Sequence, residues 1–403
     1  MANSASYNAV VIQLARLGDL AQTWPLLERL STSFGQGCSA LVVDSRLETL
    51  AGLMVGRDNV FSLPVKDLLE RFSTNSTAAQ WSIAKRLRYD FGKIRAERVI
   101  NLNYHAPASI LAELPDSQSI SGARWTDVKA GRPSDAQLAE LFRANSGLRR
   151  GNRHLSEIWG DYARIDSPKH SLKSLEIRAD VKARARAIFE HSGLNPYEQP
   201  LALIIGSGLD SRSWPIRYFQ DLALSLHKLY PVVLTGSIKE ESAASRIMDD
   251  SRFDKKRIVS LCGKTNPAEL AGVLSLSRLA VGVDTGALHV AAMTGTKCLG
   301  IYYGSMHFRE TGPFGDGNVV VVPDDPEYPC HEREMDKNPE RYLYSVPPKL
   351  VSDTAIAMLS KNEVTPVSEN RIFRSNLHGY NLKWQEFKKI KPEKEMNLLQ
   401  MQA

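Results

Sequence analysis

The sequence predicts an α/β fold built twice over, with two Rossmann-like domains facing a central cleft. Three observations predict it. Short β-branched runs alternate with amphipathic stretches, the pattern of a parallel sheet covered by helices. The alternation stops near residue 166 at a polar, proline-bearing stretch and then restarts. The chain of 403 residues is also longer than one ordinary core accommodates.

In the first unit, residues 1–165, Ala9–Leu14 (AVVIQL) reads as a strand and Asp19–Leu30 as the helix after it. Cys38–Val43 and Asn59–Leu63 read as further strands. Ile83, Leu87, Phe91 and Ile94 recur at helical spacing ahead of a strand at Arg98–Leu102. Residues 166–198 are expected to form a linker and a connecting helix, Arg178–His191. The second unit, 199–350, repeats the pattern: strands at Leu201–Ile205, Val232–Thr235, Ile258–Leu261, Leu279–Val283 and Cys298–Tyr303, with helices between. A helix at Asp353–Ser360 and a tail complete the segment 351–403. The tail is expected either to pack back on the N-terminal domain or to contact a partner.

Composition is that of a globular chain, 43% hydrophobic and 24% charged. A net charge of +6 suits acidic partners. The basic residues match no nucleic-acid motif, so no nucleic-acid partner is expected. Cys38, Cys262, Cys298 and Cys330 lie far apart without a CxxC pair, which fits a reducing, cytoplasmic compartment and suggests neither zinc nor disulfides. No basic region precedes the first apolar run, and no apolar stretch reaches the ~20 residues that span a bilayer. Membrane contact is therefore expected to be peripheral, on the inner face of the cytoplasmic membrane.

Ligands of such sheets gather at the carboxyl ends of strands, so the segments just after strands matter most. Arg16-Leu17-Gly18-Asp19 opens a helix. Asp19 there either caps the helix or serves as a general base whose charged form the helix N-terminus favours. Arg278–Ala292 runs a buried strand into Asp284-Thr285-Gly286. The free N–H groups of the next helical turn suit a phosphate, and His289 is about one turn on. The competing reading is an N-cap Asp284 with a core-facing histidine. In Gly206–Pro215 (GSGLDSRSWP), glycines, Ser207 and Arg212 suit phosphate oxygens, or form an ordinary turn; Trp214 and Pro215 serve packing and helix initiation. Neither a P-loop nor a dinucleotide fingerprint is present. In Gly236–Glu241 (GSIKEE), Glu240 or Glu241 accepts from ribose hydroxyls or is simply solvated. Lys85, Arg86, Arg88, Lys93, Arg95 and Arg98 form a basic stretch, either a solvated face or an attraction for an anionic acceptor or lipid headgroups.

Together these segments resemble glycosyltransferase family 9, the ADP-heptose:lipopolysaccharide heptosyltransferases. The resemblance rests on Arg16-Leu17-Gly18-Asp19, which is similar to the family's N-terminal RxxGD segment though one residue shorter, on Asp284-Thr285-Gly286-Ala287-Leu288-His289 continuing to Gly295-Thr296, and on Thr311-Gly312-Pro313-Phe314-Gly315. It implies a GT-B architecture with the acceptor on the N-terminal domain and the nucleotide-sugar on the C-terminal one. It also implies an inverting transfer of a sugar, heptose from ADP-heptose, to a lipopolysaccharide-core or other glycan acceptor. Asp19 becomes the catalytic base and Arg212 the charge facing the leaving diphosphate, at a place where the family usually has lysine. Ser207, Gly208, Glu240, Asp284, Thr285, Gly286 and His289 become donor contacts, and Arg16, Lys85 and Arg88 acceptor contacts. The cysteine-rich turn common near the family's C-terminal end is reduced to Pro329-Cys330, and no DxD triplet occurs. The expectation is thus a transferase without metal or cofactor, the nucleotide-sugar being a co-substrate. Two alternatives stand beside this one: a heptosyltransferase acting on a protein acceptor, and a non-catalytic nucleotide-sugar-binding protein.

Overall fold

The computed structural model describes residues 6–74, 76–134, 136, 138–140, 153–165, 171–208, 212–360 and 370–387. Part of the expected linker (166–170) and of the tail (361–369 and 388–403) lies outside the described residues.

The first sheet holds β1 (Ser6–Gln13), β2 (Ser39–Asp44), β3 (Val60–Leu63), β4 (Arg95–Asn101) and β5 (Asp116–Gly122). All pairs are parallel and the spatial order is β3-β2-β1-β4-β5. β1 explains why a continuous apolar run is needed. Its side chains alternate faces, with Ala9 and Val11 entering one buried cluster and Val10 and Ile12 another. The helix expected over Asp19–Leu30 is two helices, Leu17–Gln22 and Trp24–Phe34, which meet at Thr23. Pro25 explains the break, since its ring has no N–H to give and fits the first turn of a helix rather than its interior.

The second sheet has eight strands. β6 (Leu201–Ile204), β7 (Val232–Thr235), β8 (Ile258–Ser260), β9 (Leu279–Val283), β10 (Cys298–Ile301) and β11 (Val319–Pro323) are parallel. β12 (Asn370–His378) and β13 (Asn381–Glu386) extend it as an antiparallel hairpin, giving the order β13-β12-β11-β10-β9-β6-β7-β8. β5, β11 and this hairpin are strands that the sequence reading does not anticipate. The described part of the tail is therefore an edge of the C-terminal sheet. Its turn also touches the N-terminal half, where the Leu382 amide donates to Glu157 Oε1 (2.6 Å) and the Arg29 guanidinium lies 5.0 Å from the Tyr380 ring.

In each sheet the strand order reverses once, between β1 and β4 and between β6 and β9. Such a reversal opens a crevice at the carboxyl ends of the strands. The two halves meet where helix Leu17–Gln22, after β1, packs on helix Gly286–Met293, after β9. Their contact is possible only without side chains. A Cβ on Gly286 would stand 2.8 Å from the Gly18 amide nitrogen, and one on Gly18 would stand 2.9 Å from His289 Cδ2. One buried cluster runs through this contact, so the halves share apolar core as well as a cleft. No described helix is long and apolar enough to cross a membrane.

Candidate active site

On the N-terminal side the site begins where β1 ends. Asp19 is the third residue of helix Leu17–Gln22, not the residue that precedes it, and its Oδ2 accepts the Arg16 amide at 3.0 Å. It thus caps the helix from within, which corrects the expectation of an Asp19 N-cap. The expectation about its charge is also corrected. Burial raises the Asp19 carboxyl above the ordinary aspartate value and outweighs the Arg16 amide and the His289 and Arg16 charges, which lower it; Asp284 adds to the rise. A carboxylate raised in this way is a stronger base than one in water.

On the C-terminal side β9 delivers Asp284, and Thr285 rather than Asp284 caps the next helix, its Oγ1 accepting the Ala287 amide at 3.3 Å. The carboxylate of Asp284 is free of capping duty and held by three groups: Thr311 Oγ1 donates at 3.0 Å, Tyr302 O–H at 3.4 Å, and His289 Nε2 stands 3.2 Å away. His289 is buried, yet its Nδ1 has no hydrogen-bond partner among the described residues. A buried ring nitrogen in that condition is suited to a ligand atom, because leaving it unmet costs about 1–3 kcal/mol. Burial and the Asp284 charge hold the Tyr302 hydroxyl well above its ordinary value, so it stays protonated, with its one hydrogen shared between Asp284 and the Thr311 carbonyl at 3.0 Å.

The two other loops lie beside this pair. Gly206 follows β6, and a Cβ there would stand 2.9 Å from Glu240 Oε2, so the loops after β6 and β7 touch. Glu240 accepts the Ser237 amide and hydroxyl, both at 2.7 Å. Ser207 and Ser213 bring their hydroxyl oxygens to 2.6 Å, closing the ends of a loop whose residues 209–211 lie outside the described residues. Arg212 is half-buried just before Trp214, which is anchored through Nε1 to the Val346 carbonyl at 3.0 Å. Arg16, expected on the acceptor side, reaches across the cleft instead, its Nη1 3.8 Å from where a Cβ of Gly208 would be. Lys85 and Arg88 are exposed on helix Thr77–Phe91, at the rim of an apolar groove.

Sequence reading misses His154. Buried at the N-cap of helix Leu155–Asp161, where its Nδ1 accepts the Ser156 amide, it donates from Nε2 to the Gly312 carbonyl at 2.8 Å, next to the Thr311 that holds Asp284. Nothing local marks a histidine that acts 158 residues away. Among the described residues no three His, Cys, Asp or Glu side chains gather as a metal site would require.

Two parallel Rossmann-like halves, with loops from both switch points meeting across a cleft, define the GT-B class of glycosyltransferase. The chain belongs to glycosyltransferase family 9 (heptosyltransferase), whose sequence model matches residues 86–340. That match covers the loops after β6, β7 and β9 and begins beyond Asp19. Among solved structures, a glycosyltransferase family 9 protein from Veillonella parvula superposes with a TM-score of 0.70 at 19% identity, covering 90% of this chain and 99% of that one. E. coli heptosyltransferase WaaC with ADP gives 0.64 at 15% identity, with 87% and 99% covered. E. coli ADP-heptose lps heptosyltransferase II gives 0.60 at 17%, with 88% and 99% covered. No curated protein sequence matches the chain.

Proposed function

We propose that the protein transfers a heptose, or a closely related sugar, from ADP-heptose to a hydroxyl of a glycan acceptor, lipopolysaccharide core being the acceptor class most consistent with its family. The observation that carries this reading is the Gly18–Gly286 contact. It brings the helix that carries Asp19 against the first turn of helix Gly286–Met293, a turn whose N–H groups suit an anion. The WaaC and heptosyltransferase II structures are of proteins named for this sugar, one of them with ADP.

In the proposed reaction the acceptor oxygen attacks the anomeric carbon from the face opposite the diphosphate. The carbon–phosphate-oxygen bond breaks, its electron pair leaves with ADP, and the acceptor proton passes to Asp19. The configuration inverts. Growing charge on the diphosphate meets the first-turn N–H groups of helix Gly286–Met293 and the Arg212 guanidinium. His289 Nδ1 and Thr285 bind the donor near its phosphates, Ser207 and Gly208 line them, and Glu240 accepts from the ribose. Arg16 joins the donor side because its guanidinium lies there. With these groups balancing the leaving charge, the reaction proceeds without a metal.

A thermal-shift screen of ADP-, UDP-, GDP- and CMP-sugars tests the donor, because stabilisation follows ligand concentration over Kd. ADP-heptose is expected to stand out, and ADP is expected to be released on addition of a lipopolysaccharide-core acceptor in the presence of EDTA. Stabilisation by a UDP-sugar alone overturns the donor assignment, and EDTA-sensitive turnover overturns the metal-free step.

A further inference from the structure

Beside the end of β1 the N-terminal half carries a second concavity, a groove of about 660 Å³ whose character is unlike that of the cleft. Its floor is Leu63, Leu68, Leu87 and Leu114, side chains that belong to or pack on the core cluster of the first sheet. Its wall and rim are Leu69, Trp81 and Ile110, from three different helices. These three rank among the large apolar side chains left exposed in the described residues; Trp81 keeps 64% of its surface in water. Large apolar side chains gathered around one groove, rather than scattered singly over the surface, point to an interaction surface.

Charge says what kind of partner it fits. Lys85 and Arg88 line the groove's edge, and both are exposed. Arg86 and Lys93 follow on the same stretch; Arg86 has Asp90 at 3.7 Å, and the Lys93 ammonium rests 3.4 Å over the exposed Tyr89 ring. An apolar trough with an ammonium and a guanidinium group along its edge and the exposed Trp81 ring in its wall matches a lipid: chain in the trough, anionic headgroup on the cations. A cavity of about 400 Å³ at the seam between the halves mixes Gln22, Ser174 and Asn318 with Trp24, Met293 and Phe314, and its only cation among the described residues is Lys297, so it offers no such match.

We propose that this groove seats an acyl chain of an anionic bilayer lipid, docking the N-terminal half on a membrane surface through Leu69, Trp81 and Ile110 with Lys85 and Arg88 at the headgroups. The site is separate from the donor site, and it stands or falls independently of the sugar.

The test uses the full chain and phosphatidylglycerol vesicles whose acyl chains carry bromine, with phosphatidylcholine vesicles as the uncharged control. The protein is expected to co-sediment with the anionic vesicles, and the bromines to quench an emission component that Trp81→Phe removes. Ile110→Asp should weaken vesicle binding by about tenfold or more. Reversal of either Lys85 or Arg88 to Glu should weaken it by at least about fivefold, each basic residue near the surface counting for about that factor. The Ile110→Asp protein should keep its melting temperature and its thermal shift with nucleotide-sugar, which separates failure of this site from failure of the donor reading. Vesicle binding that charge reversal abolishes but bromine does not quench means adsorption alone and overturns the proposal. So does a Trp81 emission already blue-shifted without lipid together with no vesicle binding, since a segment of the chain then covers the groove. Concentration-dependent dimerisation lost in Ile110→Asp, again without vesicle binding, assigns the face to a second copy and overturns it as well.

Discussion

The two halves have the same design and opposite chemistry. Each is built on parallel strands with one reversal of strand order, the second with an antiparallel hairpin at its edge, and each sends the loop after a central strand to the shared contact at Gly18 and Gly286. The N-terminal half brings a carboxylate there, hydrogen-bonded to one amide and raised by burial. The C-terminal half brings a helix N-terminus, an unmet imidazole nitrogen and an aspartate already committed to three neighbours. A topology repeated twice therefore fixes where a ligand is held, while the side chains at the strand ends decide what each half does with it.

The sharpest way to break this division is Asp19→Asn. The amide keeps a capping oxygen but cannot take a proton, so turnover should fall about 10²–10⁴-fold while the thermal shift with donor persists. An active Asn variant would make Asp19 a cap and leave the N-terminal half without a chemical role. Removing charge from the other half should act differently. In Arg212→Ala, kcat should fall more than KM rises, because charge on the leaving group grows in the transition state. A rise in KM alone would reduce Arg212 to a ground-state contact.

The seam between the halves is tested by Gly286→Ala. The new methyl meets backbone at 2.8 Å, and overpacking of this kind costs about 1–3 kcal/mol, read as a lower denaturant midpoint. An unchanged midpoint with full turnover would show that the halves do not need this contact.

The raised Asp19 carboxyl gives a pH signature confined to the N-terminal half. Burial favours the neutral acid in the folded state, so its contribution to stability is fully present below the ordinary value of 3.8. That contribution is lost as pH rises through the folded value. Asp19→Asn should then melt no lower than the native protein at neutral pH, with the gap closing under acid. The acid limb of kcat/KM should lie above 3.8. An acid limb below that value would remove the burial argument. The smallest effect belongs to Thr311→Val, which takes one donor from Asp284; a modest drop in melting temperature with a weaker donor shift is expected. Loss of melting temperature without any change in donor binding would make Thr311 purely structural.

By itself the sequence determined the doubled α/β pattern and the four loops worth inspecting. Both are local signals: β-branched runs pay little to become strands, and glycine with Ser, Thr or Asp after such a run marks a strand-to-helix turn. Periodicity alone runs Asp19–Leu30 together as one helix, and the break at Thr23 is a correction for which Pro25 gives the physical reason. β11 reads Val319-Val320-Val321-Val322, a signal that is plain once the register beside β10 is seen. β12 and β13 alternate weakly, with Arg371, Arg374, Lys383 and Gln385 among their residues, as an exposed edge allows. Only the tertiary structure decided that Gly18 touches Gly286, that Arg16 faces the loop after β6, and that His154 braces Gly312. It also decided the direction of the Asp19 shift, since desolvation depends on what packs around a group and a capping pattern reports only its nearest amide. Spacing along the chain encodes turns and faces; the contacts that join residues hundreds of positions apart are set by how two sheets close on each other.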